Sequence, residues 1–229
     1  MIKEFYDKDR KKIVYDLQNP FAGGLYGRIY KLSDSKCIKI FLNNGYRESE
    51  NSIEDLRAFE ALMGMSLSNF YEIYKILYDN FGFLTGYTMS YYNTEDINLL
   101  GMPMDYLLDN FNSLFETMLK ISKNGINMTD LHRGNILLTN KEMIIVDADE
   151  YHYDKSQNLT IENKKALYNA FRDLLLSSLS KDYKSLDDKF RYIRAIDKLF
   201  NIGNGPKDIN KKLTRYKRLI DYLHLNLYK

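Results

Sequence analysis

The stretch Asn127–Glu150 reads N-M-T-D-L-H-R-G-N-I-L-L-T-N-K-E-M-I-I-V-D-A-D-E, and no other part of the chain narrows its possible folds as much. Two apolar runs flank a polar turn there, which predicts a short strand at Asn135–Leu138 and a second at Met143–Val146. Asp130 precedes Asn135 by five residues, and Asp147 closes the second run. The motif therefore supplies an acid in a loop, a carboxamide at a strand start and a second acid at a strand end. One acid can orient an attacking hydroxyl, while the amide and the other acid hold Mg²⁺ on phosphate oxygens. Singly these residues mean little, because an Asp at a strand end is ordinarily a turn former.

The remaining bulk properties exclude more than they assign. With 229 residues the chain suits one large or two small domains, either able to bury an adequate core. A net charge of +2 makes no overall case for a nucleic-acid partner, and none is expected. A single cysteine, Cys37, rules out an intrachain disulfide framework. No apolar run is long enough to span a bilayer, and Lys3, Glu4, Asp7 and Lys8 interrupt any signal-like start. The expectation is a soluble cytoplasmic protein.

Read from the beginning, residues 1–20 carry a basic patch, Lys8–Lys12, and an apolar run at Ile13–Tyr15 that suits a strand or a loose arm. In F-A-G-G-L-Y-G-R-I-Y-K-L, residues 21–32, Gly24 and Gly27 hold the last two glycine positions of G-x-G-x-x-G, with Ala22 at the first. Arg28–Leu32 and Cys37–Leu42 read as strands around a polar turn, with Lys39 on the second, twelve residues after Gly27. Arg47–Met63 has helical periodicity, with Ile53, Leu56, Phe59 or Glu60, and Met63 on one face. Phe70–Tyr78 and Phe83–Tyr92 suit a hairpin around Asp79–Gly82. From Pro103 onward the pattern is helical except in the central stretch: Met104–Ser122, ended by Gly125, then Ile161–Leu179, Asp187–Phe200 and a basic last helix with Ile209, Leu213, Tyr216, Ile220 and Leu223 on its apolar face. The polar stretch Asn93–Leu100 sets the expected boundary between a first domain at 1–92 and a second at 93–229.

D-L-H-R-G-N followed by V-D-A-D resembles the catalytic and metal-binding loops of the protein-kinase-like phosphotransferases, and the order of the other motifs agrees. The resemblance covers about residues 18–200. It implies an α+β, bilobal protein-kinase-like fold, with an N-terminal antiparallel sheet and one helix before a mainly helical C-terminal lobe. It further implies ATP and Mg²⁺. By that comparison Lys39 binds the α- and β-phosphates, held by Glu54, with Glu50 and Glu60 as alternatives. Gly24 and Gly27 cover the phosphates, Met89 backs the adenine pocket beside Cys37, and Ser90–Tyr92, Tyr91 among them, offer backbone hydrogen bonds to the base. Asp130 accepts or orients the acceptor hydroxyl, His132 stands near the transferred phosphate, and Asn135, Asp147 and Asp149 are the metal ligands.

The departures matter as much. H-R-D becomes Met128-Thr129-Asp130, which removes the arginine that pairs with a phosphorylated activation loop. D-F-G becomes Asp147-Ala148-Asp149, and no A-P-E follows. These features look more like aminoglycoside-type phosphotransferases, whereas the lack of a large insertion favours a protein Ser/Thr acceptor. The expectation is a Mg²⁺-dependent ATP phosphotransferase acting on a hydroxyl, with a small-molecule kinase and a nucleotide-sensing pseudokinase module as alternatives. A helical adaptor without nucleotide would require the ordered motifs to be coincidence.

Overall fold

The computed structural model describes residues 1–24, 26–42, 52–94, 99, 102–154, 156–179, 194, 196–198, 200, 201 and 203–215. The chain divides into two compact units, one of Met1–Met65 with Tyr71–Asn93 and one of Ser66–Phe70 with Thr94–Lys229.

The first unit is built on a seven-stranded sheet with every pairing antiparallel. Its strands in chain order are β1 (Ile2–Tyr6), β2 (Lys12–Asp16), β3 (Ala22–Gly23), β4 (Gly27–Lys31), β5 (Lys36–Phe41), β6 (Ile73–Tyr78) and β7 (Leu84–Ser90), arranged β2-β1-β6-β7-β5-β4-β3. The start of the chain is thus a hairpin in the sheet, with the basic patch at its turn. Alternation along β5 sorts its side chains: Ile38 and Ile40 join Phe5, Leu17, Tyr30 and Leu77 in one core cluster. Cys37, Lys39 and Phe41 face the other way. There α1 (Ser52–Met63) buries Ala58, Phe59 and Leu62, with the Phe59 ring 4.6 Å from that of Tyr87. Glu60 is exposed, so Phe59 and not Glu60 lies on the apolar face of α1. Gly86 of β7 is required by close approach, since a Cβ there would stand 2.1 Å from the Lys39 carbonyl oxygen.

The second unit packs two long helices. Pro103, which cannot donate an N–H, precedes α2 (Met104–Lys123), and Gly125 at φ +73° follows its end. Leu107, Phe111, Leu114, Phe115 and Met118 of α2 are buried, as are Leu167, Tyr168, Phe171 and Leu175 of α3 (Leu159–Leu179). Phe111 centres an aromatic group with Phe115, Tyr168, Phe171 and Phe200, at centroid distances of 5.0–6.3 Å. A further helix at 206–215 buries Ile209 and Leu213. Most of the expected helix Asp187–Phe200 lies outside the described residues.

Between α2 and α3 run four short strands: β8 (Ile126–Asn127), β9 (Ile136–Leu138), β10 (Met143–Ile145) and β11 (His152–Tyr153), paired as β8–β11 and β9–β10. β8 and β11 were not evident from the sequence pattern. Asn135 itself closes a 3-10 turn, Arg133–Asn135, and the strand begins one residue later than the sequence pattern suggested. Phe70, expected at the start of the β6 hairpin, instead forms a parallel bridge with Ile145 in the second unit.

Candidate active site

In the first unit the glycine-containing hairpin β3–β4 sits directly against Lys39. Gly24 N–H donates to the Gly27 carbonyl at 3.0 Å, closing the tip, and Arg28 Nη1 donates to the Gly24 and Gly27 carbonyls at 2.6 and 3.1 Å. A Cβ at Gly27 would come within 3.0 Å of Lys39 Cε, whereas one at Gly24 would meet nothing within 4 Å. Gly27 therefore lets the lysine stem pass beneath the hairpin, and Gly24 leaves open space at its tip. Lys39 is only 6% exposed, on the face of β5 that α1 helps to cover. This is not the solvent-facing lysine common on half-buried strands, and a buried ammonium demands compensation by anionic or hydrogen-bonding groups. Its expected carboxylate partner Glu54 belongs to α1 by its backbone, but its side chain and all of Glu50 lie outside the described residues.

Met89, at 7% exposure, is paired with Cys37 across β5 and β7. Burial pushes the Cys37 thiol up to about 12. The Tyr91 N–H donates to the Ser35 carbonyl at 2.9 Å and the Ser90 N–H to that of Glu72, so these two donors already serve the fold. The Tyr91 ring meets Phe21 edge-on at 5.4 Å and carries Lys31 Nζ at 4.8 Å.

The second unit assembles the acid–amide–acid set. Asn135 Nδ2 donates to the Asp130 carbonyl at 2.9 Å and to Asp130 Oδ2 at 3.0 Å. With its amide hydrogens so used, Asn135 presents Oδ1 as an acceptor. The Asn135 carbonyl accepts from Val146 N–H at 2.9 Å, which fastens the loop to the residue before Asp147. Asp147 adopts φ +62°, a left-handed conformation that Asp tolerates better than most residues. Asp149 is 8% exposed. His132 Nδ1 accepts from Gly134 N–H at 3.0 Å, and its Nε2 lies 3.9 Å from Asp130 Oδ1, so His132 borders the acid.

Buried asparagines hold this set in place, and the sequence pattern did not single them out. Asn163, fully buried on α3, accepts from Met128 N–H at 2.8 Å and donates to the Ile126 carbonyl and Ser122 Oγ. Asn110 on α2 accepts from Met143 N–H at 2.6 Å and from Asn69 Nδ2 at 2.9 Å. Thr129, at the place of the absent arginine, donates its hydroxyl to the Glu150 carbonyl at 2.7 Å. An amide among apolar neighbours at helical spacing gives no signal that it serves a loop far along the chain.

Hard oxygen donors from one amide and one or two carboxylates suit Mg²⁺, which keeps part of its shell for water and phosphate. Among the described residues no group of three His, Cys, Asp or Glu side chains gathers. Asn135 Oδ1 with the Asp147 carboxylate fits the lighter requirement.

No protein-family model matches the sequence, and no curated protein matches it. Solved structures do. The kinase domain of PknI from Mycobacterium tuberculosis matches in two crystal structures, one of them a point mutant. The mutant has a TM-score of 0.63 at 12% identity, covering 87% of this chain and 95% of that one. The other has a TM-score of 0.61 at 13% identity, over 86% and 95%. A chain of the CAK complex from Chaetomium thermophilum, bound to ATP-γ-S, has a TM-score of 0.55 at 11% identity, over 71% and 62%. At such identities the likeness is one of fold.

Proposed function

From the protein-kinase-like α+β fold of this chain, we propose that it is a Mg²⁺-dependent phosphotransferase that passes the γ-phosphoryl group of ATP to a hydroxyl, the leading acceptor being a protein serine or threonine. One observation carries the reading: the Asn135 side-chain amide joins Asp130 through its hydrogens, while the Asn135 main-chain carbonyl is tied to the N–H of Val146, the residue before Asp147. That arrangement keeps a proton acceptor and two metal-binding oxygens in fixed relation. The similar CAK structure holds ATP-γ-S, which supports ATP as the donor.

In this reading the acceptor oxygen bonds to the γ-phosphorus as the bond to the ADP oxygen breaks, and the hydroxyl proton passes to Asp130. Lys39 neutralises the α- and β-phosphates, with Glu54 assigned to hold it. Gly24 and Gly27 give those phosphates close access to backbone. Met89 and Tyr91 border the base. Asn135 and Asp147, assisted by Asp149, would hold Mg²⁺, which when bound offsets charge on the phosphate oxygens. His132 adds polarity beside Asp130. Most of the catalysis is positioning and charge neutralisation.

The test is thermal unfolding with ATP, with and without Mg²⁺. At a hundredfold excess over Kd, mass action contributes about 2.7 kcal/mol, or roughly 5–10 °C for a chain this size. The expected result is a Mg²⁺-dependent rise that Asp147→Asn abolishes. Asp130→Ala should keep the rise while losing about 10²–10⁴-fold in turnover. No rise with any nucleotide sinks the proposal.

A small-molecule acceptor has its own support. The stretch after Asp147 folds back at once as β11 onto β8 and reaches α3 at Leu159, which leaves little chain for a peptide-docking platform. Turnover with an aminoglycoside-like polyol and none with protein substrates would select this reading. Nucleotide binding with no transfer to any acceptor would select a pseudokinase module.

A further inference from the structure

β2 (Lys12–Asp16) ends the first unit's sheet, with β1 as its one neighbour among the described strands. The direction of its backbone groups is settled by the ladder. Asp7 N–H donates to the Lys11 carbonyl at 3.1 Å and Leu17 N–H to the Met1 carbonyl at 2.8 Å, with Phe5 opposite Ile13 and Lys3 opposite Tyr15 between them. Alternation then points the N–H and C=O groups of Lys12, Val14 and Asp16 away from β1, along the open edge. Native sheets commonly blunt such an edge with lysines, proline or a bulge. β2 has no proline and keeps unbroken register with β1, and its one lysine is answered by an aspartate four residues on. Val14, at the centre of K-I-V-Y-D, is 52% exposed. On the opposite face Ile13 and Tyr15 are only partly buried, at the margin of the core cluster that contains Phe5 and Leu17.

We propose that β2 is a self-association edge: two copies of this chain pair antiparallel through it, about a two-fold axis at Val14. In that register Lys12 lies opposite the partner's Asp16, Ile13 opposite the partner's Tyr15, and the two Val14 side chains face each other. Each outward N–H of Lys12, Val14 and Asp16 meets an outward carbonyl. A slip of one residue would set outward-facing backbone against inward-facing backbone, and parallel pairing would place the two Lys12 side chains together. Lys12 Nζ already lies 2.6 Å from Glu4 Oε1, and Asp16 Oδ1 lies 3.1 Å from the Met1 ammonium. Exposed bridges of this kind are weakly held, so the charges can be shared across the seam. The far edge of the sheet is β3, only two residues long, so the pairing closes at two copies. This inference is independent of the phosphotransferase reading.

Sedimentation velocity of the full chain from about 1 μM to about 1 mM covers the affinities open to a seam this short. The expected result is a boundary that moves with concentration from the mass of one chain toward that of two. Val14→Pro removes the central outward donor without touching the bonds to β1, and should weaken association at least ~10-fold. Lys12→Asp and Asp16→Lys each set like charges across the seam, and each should weaken association about 10–100-fold. Mixed in equal amounts, these two variants should associate as tightly as the native chain, because every charge then faces its opposite. A native chain that stays monomeric at about 1 mM overturns the proposal. Val14→Pro associating like the native chain overturns it as well, by moving the contact off β2. A mixture no tighter than its components overturns the register. Should Val14→Pro lose its cooperative melt, the mixing experiment decides alone.

Discussion

Lys39 and Cys37 lie two residues apart on β5 and show how one face of a strand can hold chemistry of opposite kinds. Both are buried, yet the lysine must have its charge met, whereas the thiol keeps its proton because burial lifts it to about 12. Cys37 should resist iodoacetamide at pH 8 in the folded protein and react only on unfolding, which mass spectrometry across a urea series would show. The same shift sets a pH dependence. Its folded value lies above its ordinary one of 9.0, so its contribution is full below pH 9 and is lost as pH rises from there toward 12. The sequence placed both residues on a strand through alternation, but not on the covered face. Either face of an alternating run can turn inward, and here Phe59 of α1 against Tyr87 decides it.

Residues 147–154 are tied back to the second unit. Thr129 binds the Glu150 carbonyl, Asp154 N–H donates to the Gly125 carbonyl at 2.8 Å, and β11 pairs with β8. Order here comes from a hydroxyl and backbone pairs, where an arginine would have waited for a phosphate. Thr129→Val should cost about 1 kcal/mol, lowering the melting point by roughly 2–4 °C. Amide hydrogen exchange should quicken over residues 150–154 and stay unchanged in β4–β7; equal protection throughout would mean that the hydroxyl carries no weight. This element was half legible. D-x₄-N and the strand-end Asp were plain because they fall on a periodic apolar pattern. The strands β8 and β11 were hidden because two-residue strands have no period to read. Asn163 and Asn110 were invisible for a related reason, since their partners lie across the fold and not along the chain.

Neither unit is one continuous stretch. Ser66–Phe70 belongs with residues from Thr94 onward, so the chain passes between units after Met65, after Phe70 and after Asn93. The five-residue visit is well anchored: Asn69 Nδ2 donates to the Met143 carbonyl at 2.7 Å, the Asn69 carbonyl accepts from Ile145 N–H at 2.9 Å, and buried Thr117 donates to the Ser68 carbonyl. Residues 94–229 expressed alone should therefore lack a cooperative melt by circular dichroism, because Thr117 and the edge of β10 lose their partners; a sharp transition would refute this. The overall α+β order was legible from where glycines, alternation and helical periodicity fall, whereas this interleaving was not, because Phe70 suits a strand in either setting. The interleaving also limits how such a protein can be inherited in parts. A single genetic crossover at the codons for 93 and 94 would join a second unit from one parent to a Ser66–Phe70 strip from another. Exchange of whole units between diverged relatives would need that strip to travel too, which favours descent of the two units as a pair.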